Sequence, residues 1–281
     1  MRLAPSLILV AAFLACASPV RVAAAADLSR EQIEKIGRLI YLAETGGHPR
    51  DLTYWSANED FPSLGIGHFI WYGRARSRFE ESFPPMVAFL ESRGVRMPDW
   101  TKGPCPWAGK AQFDADLDGP RLTALRGIFL DTFAQQTEFI MQRRAQALPA
   151  MLAAVPPEEQ DELKARFNAV SADPVGAYAT IDYVNFKGEG TDPNERYAGQ
   201  GWGLLQVLQG MQRRPGEPAN VAFAKSCARV LARRVANAPA GQQQQRERRF
   251  LSNWTERCQG YGLPTLDDVL ACKEHGRCSR S

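Results

Sequence analysis

A helical period that ends on a glutamate is the strongest constraint on how this chain folds. Ser29 and Gln32 make a capping box, and Ile33, Ile36, Ile40 and Ala43 then recur at helical spacing. Glu44 follows on the same apolar face, and Gly46-Gly47 supplies a stop. Residues 48–72 change character. They are rich in Gly, Pro, Asn and aromatics and lack helical period, so residues 54–72 are predicted to form turns and a small two- or three-stranded sheet. A carboxylate at the buried end of a helix is thus set beside a glycine-rich polar segment.

The rest of the chain is predicted to be helical at about residues 85–93, 120–147, 158–170, 175–186, 203–214, 220–236 and 245–259. The second of these patterns is read as one piece ending near Pro149, and the last follows a short low-complexity joint at 242–245. Residues 94–118, with Pro98, Trp100, Pro104, Pro106 and Trp107, read as an irregular loop long enough to suggest a functional surface or a lid. No internal repeat and no domain linker stands out. The expected fold class is α+β, mainly α-helical, with the small β-sheet after the first helix and one domain over residues 27–281 whose C-terminal part is helical.

The N-terminus reads as an export signal: Arg2, an apolar run at residues 7–17, and Ala24-Ala25-Ala26 for cleavage. That run is short of the roughly 20 residues of a membrane span. A second reading makes Cys16 a lipid-anchor site after Phe13-Leu14-Ala15. On either reading the folded part is exported, periplasmic or secreted. The whole chain has a net charge of +3, of which Arg2 and Arg21 supply two, so the mature protein is near neutral and nucleic acid is not expected as its partner. Basic pairs such as Arg213-Arg214 and Arg233-Arg234 read as solvated helix faces, with an acidic wall polymer as the alternative. Cys105, Cys227, Cys258, Cys272 and Cys278 remain after cleavage; export permits disulfides, a bridge is expected within the C-terminal three, and the odd number leaves one thiol unpaired.

Glycoside cleavage needs a carboxylic acid to protonate a leaving oxygen. Glu44 is the first candidate, and its apolar helix face is the kind of setting that keeps a carboxyl protonated. Glu59 and Asp60 are candidate second carboxylates, and Ser63 is a candidate for orienting water or a sugar hydroxyl. Gly65 and Gly67 suit close approach of a ligand to the backbone. Trp55, Trp71 and Tyr72 are candidates for stacking on sugar rings, with core packing as the plain alternative, and His68 is expected to make a structural hydrogen bond near the sheet.

These residues resemble the phage-type lysozymes, which carry a catalytic Glu at the end of their first helix, then a small sheet with an acidic residue and a Thr-Ile-Gly-Ile-Gly-His segment. Glu44 matches the first feature and Ser63-Leu64-Gly65-Ile66-Gly67-His68 the second, with Ser63 in place of Thr. The match spans about residues 30–72. A second stretch resembles the lytic transglycosylases: Glu189, followed by Gly203-Leu204-Leu205-Gln206 in place of Gly-Leu-Met-Gln, with Gly190 where those enzymes have Ser. Glu44 comes in the superfamily's order, after a first helix and before a sheet, and is preferred as the acid; Glu189, Tyr197, Trp202 and Gln206 are assigned to a glycan-binding wall.

The resemblance implies a lysozyme-like fold and cleavage of peptidoglycan or a related glycan without a cofactor. Two rivals stand beside it. One is a lysozyme-like module that binds wall glycan without cutting it. The other is a metal-dependent wall peptidase using His48 and His68, with Glu44 and Asp60 in reach of a shared zinc. A thiol nucleophile at Cys105 has no specific support.

Overall fold

The computed structural model describes residues 28–73 and 81–275. The export signal, Cys16 and Cys278 lie outside the described residues. Helix α1 (Arg30–Thr45) begins at the expected capping box: Gln32 N–H donates to Ser29 Oγ at 3.2 Å, and Ser29 N–H donates back to Gln32 Oε1 at 2.9 Å. It ends where Gly46 turns left-handed (φ 61°) and donates to the Leu42 carbonyl. Ile36, Leu39 and Ile40 are fully buried, which fixes the rotation of the helix and sends Glu44 off its last turn beside the core.

Strands β1 (Thr53–Tyr54), β2 (Ser63–Leu64) and β3 (Phe69–Ile70) form an antiparallel sheet in that order, with Thr53 opposite Leu64 and Ser63 opposite Ile70. The β2–β3 turn is Gly65-Ile66-Gly67-His68. Gly65 has φ 74°, and a Cβ there would sit 2.6 Å from Gln136 Oε1. That same oxygen accepts the Ile66 N–H at 3.0 Å, while the Gln136 amide donates to the Phe129 carbonyl and to Thr132 Oγ1. The glycines therefore admit the protein's own helix side chains, which replaces the reading that they admit a ligand. The turn is clamped onto the helical body by one buried glutamine.

Helices α2 (Phe83–Ser92), α3 (Lys110–Asp116), α4 (Pro120–Asp131) and α5 (Phe133–Ala153) follow. Residues 94–118 are not the open loop expected. They hold a 3-10 turn at Asp99–Thr101 and then α3, and Trp107 is buried with its Nε1–H donated to Asp116. Proline punctuation hides this order because the segment is held by aromatic packing rather than by helical period. The single helix read over 120–147 is two, broken at Thr132 (φ −108°, ψ 25°), whose hydroxyl bonds back to the Ile128 carbonyl. Pro149 lies inside α5 rather than ending it. Burial of Leu148 and Met151 on either side outweighs the one backbone bond that proline removes.

The C-terminal half is helical: α6 (Pro157–Ser171), α7 (Pro174–Lys187), α8 (Leu204–Gln209), α9 (Ala219–Asn237), α10 (Gln242–Gly260) and α11 (Leu266–His275). Asp173 caps α7 by accepting the Gly176 N–H at 2.9 Å. The α8 helix is shorter than its pattern, α10 absorbs the glutamine joint, and α11 has no counterpart in the sequence reading. One apolar core runs from Ile36 to Cys272 and takes in sheet and helices alike. The fold is thus α+β and mainly helical, with a three-stranded sheet after the first helix. Among the described residues no helix is long and apolar enough to cross a membrane.

Cys227 of α9 and Cys258 of α10 form a disulfide with Cα atoms 5.7 Å apart. Cys272, in the C-terminal group where a bridge is expected, is also disulfide-bonded. Cys105 is the free, buried thiol, and burial pushes it up to about 11, which keeps it protonated and removes it as a nucleophile. Replacing Cys227 and Cys258 together by alanine is expected to cost about 3 kcal/mol through the freed loop in the unfolded chain. Urea titration of the double variant measures this, and an unchanged midpoint would contradict it.

Candidate active site

Four stretches far apart in the chain meet at Glu44. Arg257 Nη2, from α10, donates to Glu44 Oε1 at 3.1 Å, and Asn185 Nδ2, from the end of α7, approaches the same oxygen at 3.4 Å. His68 Nδ1, from the β2–β3 turn, faces the other oxygen, Oε2, at 3.7 Å. The Glu44 side chain keeps 19% of its surface open and His68 17%. The surroundings differ from the apolar wall expected beside Glu44: they are donors and a cation. Because Oε1 already accepts from two groups, a proton carried by Glu44 belongs on Oε2, on the His68 side.

The histidine is set up to matter there. His68 takes a left-handed φ of 47°, a conformation histidine tolerates better than most residues. Its Nε2 lies 3.0 Å from the Asp51 carbonyl, which only accepts, so Nε2 carries the hydrogen. In the neutral ring Nδ1 then presents a lone pair to Glu44 Oε2, and in the charged ring it presents an N–H. At 3.7 Å the two are too far apart for a hydrogen bond, and closing that gap requires one proton between them. The structural bond expected for His68 is present, and the same bond aims its other nitrogen at Glu44.

Behind Glu44 lies a buried charge system that the sequence reading did not pick out. Asp182 of α7 has no exposed surface and accepts Arg257 Nε at 2.8 Å, Arg257 Nη2 at 2.6 Å and the Tyr261 hydroxyl at 2.5 Å. Burial pushes the Asp182 carboxyl up, but the charge and hydrogen bonds of Arg257 overcome this and hold it below the usual carboxylate range. Arg257 is thus largely neutralised by Asp182 before it reaches Glu44. Its guanidinium also lies 4.2 Å from the centre of the Phe186 ring. Lys187 is packed between the faces of Phe186 and Trp254, at 4.0 and 3.8 Å, and burial followed by the charges of Arg234 and Arg257 pulls it well below the ordinary lysine value. The one signal that could have found it is the polar density of residues 182–190. Arg257 carried none, because it stands 213 residues from Glu44 and reaches it only through the packing of α10, anchored next door at Cys258.

The second-carboxylate candidates lie on the connection between β1 and β2. Glu59 and Asp60 are exposed at the tip of the hairpin, and the contacts of Glu44 are with Arg257, Asn185 and His68 instead. Crowding at the Glu59 carboxyl raises it, while the charges of His68 and Arg246 pull the other way, so Glu59 looks across toward α10. Ser63 is buried in the middle strand. Trp71 has no exposed surface and packs against Phe83, Trp100 and Trp107; Trp55 and Tyr72 are buried against Phe113 and Phe61. These three rings build the core under the sheet, which corrects their assignment as sugar platforms.

The Glu189 stretch is organised by its own backbone. Leu204 and Leu205 N–H groups donate to the carbonyls of Gly188 and Glu189, and the Gln206 amide bridges Gly190 O (3.0 Å) and Gly203 N (2.9 Å). Gln206 is therefore a clasp between loop and helix rather than an open glycan contact. Trp202 is buried beneath the Arg234 guanidinium at 4.1 Å, and the Tyr197 hydroxyl donates to Glu247, which is itself buried, paired with Arg234 and held low by it against the upward push of burial. Gly203 and Gly190 touch so closely that a Cβ on Gly203 would lie 2.2 Å from Gly190 N. Gly203→Ala is expected to cost about 2–3 kcal/mol, since both clashing groups are backbone; a thermal melt equal to the parent's would refute that.

Among the described residues, no three or more His, Cys, Asp or Glu side chains converge as a metal-ligand set, so the peptidase reading on His48 and His68 has no geometric support. Comparison with protein-family models, with curated proteins and with solved structures found no match.

Proposed function

We propose that this protein is an exported enzyme of lysozyme-like type that cuts the glycan strands of peptidoglycan, with Glu44 as the general acid. The observation that carries this reading is the meeting of a partly open Glu44 with His68 of the Gly-Ile-Gly-His turn, in the helix–sheet order the resemblance implies. Glu44 Oε2–H gives its proton to the glycosidic oxygen, the C–O bond breaks as the leaving hydroxyl forms, and positive charge develops on the remaining sugar. The Glu44 carboxylate then takes a proton from the incoming hydroxyl, whether of water or of the same sugar. Arg257 and Asn185 hold the carboxylate in place between these steps. In this reading one carboxylate serves in both directions.

The test is incubation of the protein with peptidoglycan sacculi and mass spectrometry of what is released. Disaccharide-peptide fragments from the parent, absent with Glu44→Gln, support the reading. Binding to sacculi with no fragments from the parent replaces it with the wall-binding module.

A further inference from the structure

One side of α10 has a composition that the chemistry at Glu44 does not require. Arg246, Arg249, Phe250, Asn253, Trp254 and Arg257 recur at three- and four-residue spacing and so share a stripe along the helix. Glu247 and Cys258, on the neighbouring stripe, are buried. At one end of the first stripe Arg257 touches Glu44. Toward the other, Phe250 is 45% exposed, unusual for so large an apolar ring here.

The path between these ends is continuous. Phe250 stacks on Trp254 (6.2 Å, 16°), Trp254 meets Phe186 edge-on at 6.3 Å, and Phe186 lies under Arg257. Arg246 and Arg249 are exposed and form no ion pair within 4 Å among the described residues, with the Glu59 carboxyl facing the Arg246 charge from the hairpin, whereas the acid between them, Glu247, is neutralised internally by Arg234. Across Glu44, Tyr54 is 44% exposed and lies parallel to the His68 ring at 5.9 Å. Exposed aromatic surface thus flanks the carboxylate on both sides, and Arg246 and Arg249 add exposed cations on the α10 side.

We infer that the stripe of residues 246–257 is the docking track for a long glycan strand that bears carboxylates. This rests on the reading of Glu44 as a glycan-cutting acid. The C–H face of a sugar ring lies on Phe250, and the acidic substituents of the strand meet Arg246 and Arg249, whose planar guanidinium groups suit carboxylates. Each contact lies at the surface and is individually weak, so the track discriminates by length and by the joint presence of sugar faces and charge. A neutral oligosaccharide offers only the first and a bare polyanion only the second.

The experiment uses the full protein with Glu44→Gln, which leaves strands intact, and measures binding by calorimetry. The probes are soluble peptidoglycan strands with their stem peptides, neutral chitin hexasaccharide, and duplex DNA as a polyanion. The pair Arg246→Ser with Arg249→Ser is expected to weaken strand binding about tenfold and leave the hexasaccharide unchanged. Phe250→Ala is expected to weaken both. All three positions are exposed, and circular dichroism confirms that the variants fold. Strand affinity equal to the parent's in both variants overturns the track, as does DNA binding as tight as strand binding. Binding needs no cleavage, so the two readings fail separately. Stripe-dependent binding by a parent that releases no fragments removes only the role of Glu44. Cleavage with binding indifferent to the stripe removes only the track.

Discussion

Asp182→Asn is expected to destabilise the protein by about 3–5 kcal/mol, because it leaves Arg257 facing the interior without its compensating charge. For a chain of this size that is a fall in Tm of roughly 10 °C. The expectation rests on the complete burial of Asp182 and on its two bonds from Arg257 and one from Tyr261. The pH dependence has a definite sign. The carboxyl of Asp182 is lower in the folded state than in the unfolded chain, so its contribution is full at neutral pH and is lost as pH falls through its folded value, below the usual carboxylate range. The gap between parent and variant therefore narrows only in strong acid. Replacing both partners, Asp182→Leu with Arg257→Met, is expected to recover much of the loss. Equal melting of parent and Asp182→Asn at pH 7 would show that the pair is not what holds α7 and α10 together at the site. The same variant releases Arg257 to pair fully with Glu44, so cleavage is expected to fall as well.

Glu44→Gln is expected to lower the rate of strand cleavage by about 10²–10⁴-fold, the usual range for loss of a positioned acid, while stability changes by only about 0.5 kcal/mol. The substituted amide keeps the shape and one acceptor for Arg257 and Asn185 but has no acidic proton to give. Glu189→Gln is the companion measurement. The Glu189 backbone carbonyl is engaged by Leu205 N–H, and the loop it belongs to is clasped by Gln206, so this substitution is expected to leave the rate within a few-fold of the parent's. Single-turnover kinetics on soluble strands separate the two. Full activity in Glu44→Gln with loss in Glu189→Gln would move the acid to the second stretch.

Local signals in the chain determined the elements that begin and end by short-range chemistry. The Ser29–Gln32 box and Gly46 set α1 because a cap and a left-handed glycine act within one turn of helix. The turn-rich composition of residues 54–72 marked the small sheet for the same reason, and Glu44 and His68 stood out as candidates because each lies beside such a boundary. Only the tertiary structure decided the rest. Trp55, Trp71 and Tyr72 look alike as sugar platforms or core rings until packing buries them. Residues 94–118 look irregular until Trp107 and α3 pack into the core. Glu44 looks like a carboxyl on an apolar face until α10 delivers Arg257 to it. The groups that surround it, Arg257, Asp182 and Asn185, come from helices more than a hundred residues away. Coulomb energy and burial depend on distance in space, which a one-dimensional pattern does not contain.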